Sequence, residues 1–180
     1  PIEHESKLRL VCHQNAWETL LADLALHKLD LVLADQPAPT NPNIKLYSHP
    51  LGASPLSWYA TPALANKARK TFPASLAELP VLLPTHHSAV RARLDQWFEQ
   101  YGLRPQVRGE FEDSALLKTF GASGMGIFPA ADWVHADILA HYKVQRIGPC
   151  EGVQQHFFAI GTQKKVQHPL VQRLLQQDAA

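Results

Sequence analysis

The chain has 180 residues, 46% of them hydrophobic and 18% charged, with 17 Lys and Arg set against 16 Asp and Glu. That apolar content excludes a disordered chain, and charges so evenly matched exclude a surface built to neutralise nucleic-acid phosphates. No run approaches the roughly 20 apolar residues of a membrane span, the start from Pro1 to Lys7 lacks a signal-peptide pattern, and Cys12 and Cys150 are too few for a disulfide framework, so the expectation is a soluble, cytoplasmic protein.

In chain order, Leu8–Cys12 reads as a strand and Asn15, with Glu18 three residues on, as a capped helix start. Trp17, Leu20, Leu21 and Leu24 then follow at helical spacing, and Leu29–Ala34 reads as a second buried strand ending at Asp35. After a proline-broken loop, Ile44–Ala60 is long and extended, a strand that leaves one sheet for another. Ala63–Lys70 reads as helix, Ser75–Glu78 as a second capping box and Val81–Leu83 as a strand stopped at Pro84. Ser88 caps the clearest helix, whose Val90, Leu94, Trp97, Phe98 and Tyr101 share one face before Gly102 ends it. Arg104–Phe111 is the next strand, and Asp113 or Ser114 caps a helix bearing Leu116, Leu117 and Phe120. Met125–Phe128 forms a strand closed by Pro129, and a short helix runs from about Asp132 to Tyr142. Val144–Ile147 and His156–Ile160 read as two extended segments, and Pro169 as the first residue of a last helix.

Strands followed at once by capped helices define an α/β protein, and in such sheets ligands sit beyond the carboxyl ends of the strands. Thr85-His86-His87-Ser88 joins a strand end to a helix N-terminus, where free amides and the helix dipole favour an oxygen-rich or anionic ligand, against the plainer reading of a solvated cap. Asp132 with His135, and Asp137 with His141, have helical spacing but match no zinc motif, so scattered surface histidines are the favoured reading and no metal is assigned. Histidine ordinarily titrates near pH 6.5, which leaves pH sensing physically open. No nucleophile elbow, phosphate loop or dinucleotide loop is present, so neither an enzyme nor a cofactor is expected. Cys12, inside an apolar run, reads as core rather than as half of a redox switch.

His27–Asp35 resembles the short helix, Leu-Asp and strand of the first lobe of LysR-type transcriptional regulators, and Gly124–Pro129 resembles the glycine turn and strand of their second lobe. Gly109–Gly121, Trp97-Phe98 and Gln167–Arg173 resemble the subgroup that activates sodium/proton antiporter genes. The resemblance implies a two-lobed effector domain of the type 2 periplasmic-binding-protein kind, each lobe a mixed sheet flanked by helices. Residues 1–52 and 158–180 would form lobe I and residues 53–157 lobe II, with hinges near Gly52–Trp58 and Gln154–Ala159. Carried over by position, the effector site would draw on Gln14 and Asn15 in lobe I, on Thr85, His86, His87 and Ser88, and on Phe128, Pro129 and Ala130.

The resemblance further implies that the winged helix-turn-helix, and the first strand and helix of lobe I, belong to a longer protein, so promoter DNA would be reached only through that missing N-terminal domain. A small ligand or cation held between the lobes would bias a homodimer or higher homo-oligomer, with no membrane partner. In the antiporter subgroup the signal would be sodium or lithium, for which Asp35, Glu112 and Asp113 are oxygen donors. The rival reading is a solute-binding protein of a transport system, which shares the architecture and would carry a secretory signal upstream.

Overall fold

The structure, a computed structural model, describes residues 9–41 and 43–163. In chain order the elements are α1 (Trp17–Ala25), β1 (Val32–Ala34), β2 (Tyr47–Ala60), α2 (Pro62–Ala68), β3 (Pro80–Pro84), α3 (Ala89–Gln100), β4 (Gln106–Phe111), α4 (Ser114–Ala122), β5 (Phe128–Ala131), α5 (His135–Tyr142) and β6 (Gln145–Gly161), with 3-10 turns at Ala74–Ala77 and Asp132–Val134. The chain divides into two units, the first made of Pro1–Gly52 and His156–Ala180 and the second of Ala53–Gln155, so β2 and β6 each run from one unit into the other. Among the described residues no helix is long and apolar enough to cross a membrane.

In the first unit Leu24, Val32 and Ile160 are buried, and Trp17, Leu20, Leu21 and Phe158 pack against them. This is the face of α1 that the helical spacing predicts. The helix begins one residue later than expected: Ala16 is its N-cap, while the Asn15 side-chain oxygen accepts only from the adjacent Ala16 amide, at 2.9 Å. Residues 9–12 form no strand; Leu10 is 63% exposed, and Cys12 is exposed rather than core. An extended segment becomes a strand only beside a partner that exchanges hydrogen bonds with it, and none stands there among the described residues. Strand β1 is shorter than the apolar run and antiparallel to β6, Val32 facing Ile160 and Ala34 facing Phe158. Its Leu33 is exposed, so the strand is covered on one face only.

In the second unit β3 and β4 are parallel, from Pro80 beside Gln106 to Pro84 beside Phe111. A parallel bridge joins Val81 to Ile127, and the Leu82 amide donates to the Ile127 carbonyl at 2.7 Å. The other side of β5 pairs antiparallel with β2, Leu56 to Ala131 and Tyr59 to Phe128. One part of the core gathers Trp58, Trp97, Phe98 and Cys150, with the Trp58 and Trp97 rings 5.8 Å apart. Another holds Tyr59, Leu82, Leu117 and Phe128.

Four expectations for this unit need correction. Ser75 caps nothing: the 3-10 turn follows Pro73, and the Ser75 hydroxyl is buried with no partner among the described residues. Strand β5 starts at Phe128 and contains Pro129, because Ile127 is already engaged by β3. Residues 132–142 divide into a 3-10 turn and α5. The two extended segments after residue 144 are one strand of 17 residues. Its glycines serve packing and geometry rather than interruption: a Cβ on Gly148 would lie 2.6 Å from the Phe72 ring, and Gly152 has φ +77°. The helix expected from Pro169 lies outside the described residues.

Candidate functional site

Because β4, β3 and the line of β5 run the same way, their carboxyl ends share one edge of the second unit. The chain leaves β3 at Pro84 and turns: the Thr85 amide donates to the Phe111 carbonyl at 3.0 Å, and the Ser88 amide returns to the Thr85 carbonyl at 3.1 Å. Ser88 then caps α3, its hydroxyl accepting from the Val90 amide at 3.3 Å. The same chemistry recurs one strand over, where Asp113 Oδ1 accepts from the Ala115 and Leu116 amides at 2.6 and 2.7 Å and starts α4. Two helix N-termini therefore open on this edge, each already satisfied in part by its own cap.

The loop between them is polar. His86 and His87 are exposed, His86 Nδ1 lying 3.8 Å from Asp95 and His87 Nε2 3.8 Å from Glu112. Thr85 Oγ1 is shielded from solvent and has no hydrogen-bond partner among the described residues, a costly state for a hydroxyl unless a partner arrives. Beneath the loop lies Arg91, whose side chain is 8% exposed. Its guanidinium donates to both Asp95 oxygens at 2.9 and 3.1 Å, to the Pro84 carbonyl at 2.8 Å and to Glu110. The hydrogen bond from Arg91 holds the Glu110 carboxyl below its ordinary value against a smaller burial effect. The ion pairs at this edge thus involve three carboxylates, Asp95, Glu110 and Glu112, one guanidinium and the imidazoles of His86 and His87.

The structure brings Thr85, His86, His87, Ser88, Glu112 and Asp113 together at the ends of β3 and β4. Phe128 and Pro129 belong to the core below that edge, the Phe128 ring stacking on Tyr59 at a centroid distance of 6.0 Å, while Ala130 is half-buried. Gln14 and Asn15, at the entry of α1, and Asp35, just after β1, are residues of the first unit.

Sequence reasoning missed Arg91, although the i, i+4 spacing of Arg91 and Asp95 was a usable signal. It also missed what Asp132 and His135 share. The buried Tyr59 hydroxyl donates to Asp132 at 3.1 Å and lies 3.0 Å from His135 Nδ1. Arg146 lies 3.7 Å from Asp132 and donates to Ser57 at 2.8 Å. Burial and then the Asp132 charge push the Tyr59 phenol far up, so it stays a donor. Among the described residues no group of three or more His, Cys, Asp or Glu side chains is placed to hold a metal ion.

Residues 3–177 match the LysR substrate binding domain family. The transcriptional activator protein NhaR of Escherichia coli strain K12 is 35% identical over 171 residues, which span 95% of this chain and 56% of that protein. The chain thus spans about half the length of the curated relatives it matches. Among solved structures, the cofactor-binding domain of the Cbl transcriptional regulator superposes with a TM-score of 0.70 at 19% identity, covering 91% of this chain and 71% of that one. The effector binding domain of QuiR in complex with shikimate gives a TM-score of 0.59 at 16% identity, over 92% and 77% of the two chains. These likenesses establish the fold as the α/β, two-lobed effector domain of the type 2 periplasmic-binding-protein kind.

Proposed function

The chain belongs to the family of LysR substrate-binding domains, and from that membership we propose that it senses sodium or lithium for a longer LysR-type transcriptional activator. The observation that carries this reading is the convergence of the Thr85–Ser88 loop and three carboxylates, Asp95, Glu110 and Glu112, on one strand-end edge. The 35% identity to NhaR along nearly the whole chain supports the choice of signal, since the antiporter subgroup is the one this sequence resembles. Hard cations take several oxygen ligands; Glu112 and the loop carbonyls supply them. Occupancy shifts the population of domain conformations, and a helix-turn-helix region beyond these residues reads that shift at promoter DNA. Protonation of His87 would set a positive charge 3.8 Å from Glu112 and compete with the cation.

The test is a titration with sodium, lithium and potassium chloride at constant ionic strength, read by melting temperature. A saturable rise with sodium or lithium, absent with potassium and weakened by Glu112→Gln, is the expected result. Equal responses to all three salts would overturn the cation reading.

A second reading is favoured by the shielded Thr85 hydroxyl beside the α3 N-terminus: a small carboxylate accepting from both. Shikimate, the compound bound to QuiR, is a suitable probe, and Thr85→Val would abolish a specific response to it. We further propose that the exposed Leu116 and Phe120 of α4 are covered by a second copy of the chain. Leu116→Lys would then lower the mass measured by light scattering; an unchanged mass would reject that face.

A further inference from the structure

We infer that Arg91 is the positioning residue of the effector loop, setting the shape of Thr85–Ser88 without itself meeting the effector. The inference rests on the reading of that loop as the effector site.

Arg91 is the third residue of α3, where a cation opposes the helix dipole, and burying a guanidinium is favourable only when its donors are well paired. Here Nε and one of the two arms are used. One arm holds the Pro84 carbonyl, the last of β3 and the one from which the loop departs. That arm also meets Glu110, across the parallel pair on β4. The Nε side holds both oxygens of Asp95, one helical turn further along α3. A single planar group therefore fixes the distance between the strand that begins the loop and the helix that ends it. Asp95 is shared, since His86 Nδ1 also lies 3.8 Å from it. Lysine, a point charge without the fork, cannot reproduce the arrangement.

The experiment compares wild type, Arg91→Lys, Arg91→Met and Asp95→Asn. It uses NMR to follow the amides of residues 85–88, urea denaturation to follow stability, and sodium chloride as the binding probe. Arg91→Met and Asp95→Asn should each shift the amides of residues 85–88, since each removes part of the link between β3 and α3. Arg91→Lys should stay folded, broaden or shift the loop amides, and weaken sodium binding about tenfold, the range for a lost charged hydrogen bond. A purely structural role would lower stability and leave the loop amides and the sodium affinity in place, and that result would overturn the inference. If the loop amides respond while wild type binds no sodium, the positioning role stands and the cation reading falls. Should Arg91→Met fail to fold, the Lys and Asn variants decide the matter alone.

Discussion

Asp113 spends one carboxylate oxygen on two backbone amides, and that oxygen is what starts α4. Asp113→Ala should therefore cost about 1 kcal/mol in urea denaturation, with Asp113→Asn recovering most of it. Both helix caps at the strand-end edge, Ser88 and Asp113, were legible in the sequence, because a capping side chain acts within three residues of itself. Arg91 was not, because its partners Pro84 and Glu110 are brought to it by the pairing of β3 with β4. The same holds for Tyr59, which meets Asp132 and His135 across the sheet, so a spacing that suggests a metal pair is in fact a carboxylate acceptor and an imidazole nitrogen around one phenol. The Arg91–Glu110 pair also has a pH signature. Glu110 is held below its ordinary value in the folded state, so the stability it contributes is present above the unfolded carboxyl range and is lost as the pH falls through the folded value. Because Glu110 is substantially exposed, the effect is small; Glu110→Gln should flatten the acid limb of a stability-against-pH curve, which urea midpoints measured from neutral to acid pH would reveal.

Among the elements, the contact between α4 and β5 leaves least room for change. A Cβ on Gly121 would lie 2.1 Å from the Phe128 ring, a separation no packed atoms tolerate. Gly121→Ala should therefore destabilise the second unit by about 1–3 kcal/mol, read as a lower urea midpoint at an unchanged slope. The helices α3 and α4 were visible in the sequence through periodicity and caps together, whereas β6 was not visible as one strand. Gly148, Pro149 and Gly152 are the usual marks of a turn, and their use here depends on Phe72 and on a bulge-like φ that no local pattern discloses. Residues 9–12 fail in the opposite sense: they have a strand's composition and lack a strand's neighbour.

At the scale of the whole molecule the alternation of strands and helices sufficed to identify an α/β protein, while the division at Gly52 and Gln155 depends on contacts far apart in sequence. The two cysteines offer a global probe. Cys12 is exposed, and Cys150 is buried with its thiol pushed up to about 12 by burial. Ellman's reagent should label Cys12 at once and Cys150 only on opening of the core. For Cys150 the sign is that of a raised acid: the folded state is favoured in full below the unfolded thiol range near 8.5, and the advantage is lost as the pH climbs toward the folded value. Cys150→Ala should accordingly flatten the alkaline limb of the stability curve. The tryptophans carry an optical consequence of the same packing. Trp58 and Trp97 are buried 5.8 Å apart and tilted by 42°, close enough for their excited states to couple. The core of the second unit therefore has its own circular-dichroism couplet, which vanishes when α3 parts from β2. Trp133, 52% exposed just past the end of β5, emits separately and lies open to a dissolved quencher, so a single cuvette distinguishes an event at that edge from the melting of the core behind it.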